Sequence, residues 1–301
     1  MATSTIVVAL DTSELSEGAI PYAVSLAKAT GSRLSFVTVW EGAERTLIES
    51  LPDAAADIFR KGEEYYESYL QDVAKRVREQ GIDTEAEVRI GEPDEEILKL
   101  VDEKKARILV AASHGRSGLS RWWYGSVAGK LVHEAKVPTL LVGPKALETG
   151  PGAGTIKRML VPLDGSEMSE SVLSLAGELA KGLGAHVYLA EALRWVSQAF
   201  IYGVPEVTVA QVDQDLVGAA TTYLSQARSK LPSSLTVETD VLRGMPADAL
   251  VDFVAEKDID LVVMASHARA GLERTALGSV ADRMLQAIAP VLLVRPEEQG
   301  E

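Results

Sequence analysis

Ile6-Val7-Val8-Ala9-Leu10-Asp11-Thr12-Ser13-Glu14 decides the fold, because the stretch occurs twice. Its echo is Met159-Leu160-Val161-Pro162-Leu163-Asp164-Gly165-Ser166-Glu167, at an offset of 164 − 11 = 153 residues. In each copy a short apolar run stops at an acid and gives way to serine and glutamate. That is the pattern of a strand buried on both faces, followed by a turn and a helix start. The same offset relates Gly91-Glu92-Pro93 to Gly244-Met245-Pro246, Ala112-Ser113-His114 to Ala265-Ser266-His267, and Gly125-Ser126-Val127-Ala128 to Gly278-Ser279-Val280-Ala281. Near the end the register slips by one, so that Pro138 matches Pro290. So long a period means a duplicated domain and not a solenoid repeat. Residues 1–147 form the first domain, 148–154 (Glu148-Thr149-Gly150-Pro151-Gly152-Ala153-Gly154) a linker of helix- and strand-breaking residues, and 155–301 the second domain.

Within the first copy, β and α patterns alternate. Strands are expected over Ile6–Leu10, Leu34–Val39, Thr84–Ile90, Ile108–Ala112 and Thr139–Val142. Between them come a helix carrying Ile20, Val24 and Leu26, with Ser13 or Ser16 as N-cap and Pro21 tolerable only near its start, and a long charged helix from about Asp53 to Gln80. Two further helices are expected over Asp94–Glu103 and Ser126–Glu134. The second copy repeats the order, closing with strands Leu261–Met264 and Val291–Val294. Alternation of this kind implies an open parallel sheet with helices on both faces.

Composition narrows the partners. Among 301 residues there are 30 Lys and Arg against 44 Asp and Glu, a formal charge of −14, which argues against a nucleic-acid partner. The chain contains no cysteine, so disulfides, thiolate metal sites and cysteine nucleophiles are excluded. With no basic, apolar leader and no uncharged run long enough to span a bilayer, the expectation is a soluble cytoplasmic protein with no membrane partner.

Ligands of open α/β sheets bind outside the carboxyl ends of the strands. Asp11 and Asp164 fall there, suited either to accepting hydrogen bonds from ribose hydroxyls or to closing a local turn as a cap. The loop after the fourth strand also falls there: Ala112-Ser113-His114-Gly115-Arg116-Ser117-Gly118, then Leu119 to Tyr124, then Gly125-Ser126 opening a helix. Small residues let backbone N–H groups approach an anion, and a helix N-terminus adds positive partial charge. Ser126 is expected both to cap the helix and to donate to a phosphate, and Arg116 to add charge.

With these residues in place, the chain resembles the universal stress protein family, whose nucleotide-binding members carry Gly, two residues, Gly, nine residues, then Gly-Ser or Gly-Thr. Both copies keep the spacing, as Ala112, Gly115, Gly125-Ser126 and as Ala265, Ala268, Gly278-Ser279. The resemblance implies two tandem Rossmann-like domains, each a five-stranded, mainly parallel open sheet. It also implies an adenine-nucleotide site, ATP with Mg2+ in attendance, in a stress-response sensor. By that likeness Asp11, with Ala9 and Leu10, sits beside ribose and adenine, and Val39 touches adenine. Gly115, Gly125 and Ser126 form the phosphate cradle, with Ala112, Ser113 and His114 lining the approach and Arg116 and Val127 among the binding residues. Matching positions in the second copy are Pro162, Leu163, Asp164, Ala192, Ala265, Ser266, His267, Ala268, Arg269, Gly278, Ser279 and Val280. Alanine replaces the motif's first glycine in both copies, and Ala268 replaces the next in the second, so the first site ranks above the second. In this family the last strands, here Thr139–Val142 and Val291–Val294, resemble edges that pair across a dimer. A tandem chain could make that contact internally as a pseudo-dimer, with a homodimer of tandem chains left open.

Other readings compete. A nucleotide-independent scaffold is favoured by Ala112, Ala265 and Ala268. Slow ATP hydrolysis or adenylyl transfer would need a base beside the phosphates, for which Asp11 alone can be named; no catalytic or metal-binding set is expected. Gly125-Ser126-Val127-Ala128-Gly129-Lys130 imitates a P-loop but has three residues between its glycines and Leu131 where Ser or Thr is required. His114 and His267 suit loop hydrogen bonding, and Trp122-Trp123-Tyr124 suits packing beneath a loop or a partner surface.

Overall fold

The computed structural model of the chain describes residues 4–41, 52–113, 125–144, 154–194, 206–265, 278–285 and 289–295. Contacts divide it into two compact units, Met1–Gly154 and Thr155–Glu301.

In the first unit the apolar run becomes β1 (Thr5–Ala9), in which Ile6, Val7 and Val8 are fully buried. It is followed by α1 (Glu14–Glu17), α2 (Ile20–Thr30), β2 (Arg33–Trp40), α3 (Pro52–Arg78), β3 (Thr84–Ile90), α4 (Pro93–Glu103), β4 (Ile108–Ala112), α5 (Ser126–Glu134) and β5 (Thr139–Val142). All four strand pairs are parallel, in the order β3-β2-β1-β4-β5. Thr5 faces Arg33 and Ala9 faces Val37 across one side of β1, while Ile6 faces Ile108 across the other. The chain therefore leaves β1 for β2 in one direction and later returns to place β4 on the opposite side. Right-handed crossovers then set α2 and α3 on one face of the sheet and α4 and α5 on the other.

The second unit repeats the plan with β6 (Arg158–Leu163), α6 (Glu167–Glu170), α7 (Leu173–Leu183), β7 (His186–Leu193), α8 (Glu206–Ser229), β8 (Val237–Arg243), α9 (Pro246–Glu256), β9 (Leu261–Ala265), α10 (Ser279–Met284) and β10 (Val291–Val294). Its strands are again parallel, in the order β8-β7-β6-β9-β10.

The helix after β1 differs from expectation. Ser13 caps only the short α1, accepting from the Ser16 N–H at 3.1 Å, and α2 begins separately after Ala19 with no side-chain cap. Pro21 lies in the first turn of α2, where a missing N–H leaves no helical bond unmade. The long charged helix α3 buries Leu70, Val73, Ala74 and Val77, the i, i+3, i+4, i+7 stripe of a one-sided helix. Its outward face carries paired charges such as Arg60 with Asp57 and Glu64. Among the described residues no helix is long and apolar enough to cross a membrane.

The turn after β1 stores strain in one copy only. Thr12 has φ 68°, a left-handed conformation unfavourable for a β-branched residue, whereas the matching Gly165 adopts φ 81° with open space where a Cβ would lie. Thr12→Gly is expected to raise stability by roughly 0.5–1 kcal/mol, relief of strain outweighing the extra chain entropy of glycine. Gly165→Thr should lower it by about 1–2 kcal/mol. Urea unfolding of both variants checks the opposed signs; two destabilised variants would mean that the Thr12 side chain makes contacts worth more than its strain.

Candidate functional site

At the carboxyl end of β1, Asp11 closes a tight turn. Its Oδ1 accepts from the Ser13 N–H at 3.0 Å and from the Ser13 hydroxyl at 2.5 Å, while its own N–H donates to Ser16 Oγ at 3.2 Å. Asp164 makes the same turn with Ser166 and Ser169. The turn-closing role open to these acids is thus realised in both units, and it fixes where each carboxylate stands.

The Gly-x-Pro motif starts the helix after the third strand. Gly91 has φ 144° and Gly244 φ 138°, a region open to glycine alone, and their N–H groups donate to Trp40 O and Leu193 O at the ends of β2 and β7. Glu92 and Met245 are extended N-caps, as a residue before proline prefers, and the proline opens the helix. Asp94, 6% exposed, accepts from Lys130 Nζ at 2.8 Å, joining α4 to α5 and holding the lysine's affinity for its proton above the ordinary. Lys130 is thereby committed to a carboxylate, which agrees with rejection of the P-loop reading.

The start of α5 corrects one expectation. Gly125 is the N-cap, extended at φ −60°, and Ser126 is the first helical residue, so the Ser126 hydroxyl does not cap the helix. Gly125 donates its N–H to Ser113 O at 2.9 Å, and Ser113, only 2% exposed, donates to Val142 O at 3.0 Å. The helix therefore starts tied to the end of β4, with neither a side-chain cap nor an acid in its first turn. Donors left unmatched in this way, with the helix dipole behind them, attract an anion.

A cleft of about 540 Å³ opens between these elements, within the range of small-molecule sites. Ala9, Leu10 and Asp11 of the β1 end, Val39, Ala112, Gly125, Ser126 and Val127 all line it. Ser113 is buried and bonded to Gly125 and Val142 without being among the lining residues. Ala112 ends β4 outside the positive-φ region, as does Ala265 of β9, so alanine at the motif's first glycine costs no backbone strain in either unit. His114, Gly115, Arg116, Trp122, Trp123, Tyr124, Ser266, His267, Ala268 and Arg269 lie outside the described residues.

Residues not anticipated from the sequence also line the cleft, among them Thr38, Trp40, Tyr66 and Ile97. Thr38 is 1% exposed and its hydroxyl has no hydrogen-bond partner among the described residues. Trp40 and Tyr66 stand with ring centroids 6.4 Å apart, and a Cβ at Gly62 of α3 would lie 3.0 Å from the indole. That contact gives a reason for glycine inside a helix, and it was a signal available in the sequence.

In the second unit Pro162 and Leu163 end β6 before Asp164, Ala192 lies on β7, and Gly278 caps α10 ahead of Ser279 and Val280. The aromatic pair is not repeated at its matching positions: Leu193 stands for Trp40 at offset 153, and Ala220 for Tyr66 at the offset of 154 that relates Leu70 to Leu224 along the long helices. Glu191 stands for Thr38. It faces Leu163 in the strand register, its Oε2 is buried with no partner among the described residues, and its proton affinity is pushed up by burial and then by the charge of Asp164.

The family profile described as Universal stress protein family matches residues 3–143 and again 155–295. A universal stress protein of Methanocaldococcus jannaschii is 31% identical over 147 residues, covering 48% of this chain and 85% of that protein. One of Bacillus subtilis is 32% identical over 145 residues, covering 46% and 98%. Among solved structures, a universal stress protein from Archaeoglobus fulgidus superposes with a TM-score of 0.70 at 19% identity over 98% of this chain and 99% of that one, a likeness of fold.

The Glu191 environment has a measurable consequence. A carboxyl whose folded pKa is raised binds its proton more tightly when folded, so its ionised form weakens the fold above that pKa, and the penalty disappears below the unfolded value. Glu191→Gln is expected to raise the melting temperature at neutral pH and to give little gain below about pH 4. An equal gain at both pH values would assign the effect to packing and not to charge.

Proposed function

The chain belongs to the universal stress protein family, and on that premise we propose that its first unit binds an adenine nucleotide, ATP foremost, as a sensing module in a stress response. The observation that carries the proposal is the start of α5, where backbone donors without a cap or an acid face a cleft of nucleotide size. In this reading the phosphates lie against Gly125, Ser126 and Val127, and the base lies over the apolar floor of Ala9, Leu10 and Val39. Asp11, oriented by Ser13, accepts from the ribose. Mg2+ would enter with the triphosphate as its counter-ion. The first unit takes precedence over the second.

Binding is assigned ahead of turnover. Asp11 is the one acid that the sequence offers for a base, and its Oδ1 is already engaged by the Ser13 N–H and hydroxyl. The scaffold alternative loses part of its ground, because Ala112 occupies ordinary strand backbone.

Ser126→Glu tests the proposal without threatening the fold. An acid in the first turn favours the helix, so the melting temperature should hold or rise slightly, while the new charge opposes phosphate. Native mass spectrometry and calorimetry with Mg-ATP should give one nucleotide per wild-type chain and an affinity lower by about tenfold or more in the variant. Wild-type protein that takes up no nucleotide at millimolar concentration would refute the reading.

A further inference from the structure

The two units differ most in chemistry at one position. Thr38 of β2 and Glu191 of β7 are equivalent, 191 − 38 = 153, and each lies one residue before the position assigned to the base, Val39 or Ala192. Thr38 lines the cleft of its unit and is buried, with its hydroxyl turned to no protein partner among the described residues. A buried hydroxyl left unmatched by the protein is uncharged, can donate or accept, and is satisfied by a ligand of either sign. Glu191 puts a carboxylate at the same register. Among the described residues no basic side chain pairs with it and its buried Oε2 has no hydrogen-bond partner, and the nearby charge that acts on it is that of Asp164. A carboxylate at that register repels an incoming anion.

We infer that the position shared by Thr38 and Glu191 decides the ligand charge each unit accepts: the hydroxyl admits an anionic nucleotide to the first unit, and the carboxylate bars it from the second. The inference rests on the nucleotide reading of the first unit and adds the reason for a single occupancy. It is independent of the alanine substitutions in the loop after β9, because it concerns a residue in the sheet itself.

Exchanging the charge between units is the test. Thr38→Glu should weaken Mg-ATP binding by about tenfold or more beyond any loss seen in Thr38→Gln, which matches its size without the charge. The second unit already accommodates glutamate at this place in the fold, and circular dichroism with thermal melting confirms that each variant is folded. Should Thr38→Glu fail to fold, Glu191→Gln carries the test: native mass spectrometry with Mg-ATP should show occupancy rising from one nucleotide per chain to two. Equal losses in Thr38→Glu and Thr38→Gln, two nucleotides on the wild-type chain, or a Glu191→Gln chain still holding one would each overturn the inference. A wild-type chain with none would instead strike the nucleotide reading beneath it.

Discussion

Strand β1 hydrogen-bonds to β2 along one side and to β4 along the other, and the consequences of that double pairing reach every part of the first unit. Ile6, Val7 and Val8 lose all contact with water, so the strand has no polar face to turn outward. The chain can then leave β1 only at its carboxyl end, through the turn that Asp11 and Ser13 close. Because the strands flanking β1 lead to helices on opposite faces, a crevice opens above its end. The cleft, the serine-braced acid and the start of α5 converge there as a product of topology. The second unit, with β6 between β7 and β9, inherits the same crevice position.

Much of this was legible in the sequence because it is written in local patterns. An apolar run ending in an acid, repeated 153 residues later, sets the strands, and glycine before x-Pro sets a helix start that requires positive φ. The bounds of α5, β5 and β10 agree with the spacing of apolar residues. What escaped is set by partners far apart in sequence. Thr38 and Trp40 alternate with Val39 along β2, yet all three line the cleft, which strand alternation by itself does not foretell. The Asp94–Lys130 pair joins two helices that have no common motif. Ser126 opens α5 without capping it: a serine after glycine looks like a cap, but Gly125, bonded to Ser113, holds that place.

Charge is used differently at the sheet's margin. β3 is the last strand of its unit's order and carries Glu85, Glu87 and Arg89. Glu85 is met by Arg33 and Lys104, and Arg89 by Glu87 and Glu103, so that the margin is covered by alternating, mutually engaged charges. Such pairs add little to stability when exposed, but they deter edge-to-edge association. In the second unit β8 has Arg243 paired with Asp213 of α8, while Asp240 keeps a buried oxygen with no partner among the described residues. The duplicate has kept the frame and let the side-chain pairing drift.

Thr38 and Glu191 in one polypeptide also bear on how such a protein evolves. In an assembly of identical subunits any substitution appears at every equivalent place at once, so a residue that harms one ligand site harms them all. Fusing two copies in a single gene lifts that obligation. One half can retain an inherited binding chemistry under selection while the other accumulates changes in its crevice and becomes raw material for a new ligand, a sensor of proton concentration, or a plain structural companion. The glutamate in β7 is the mark of that freedom in this chain.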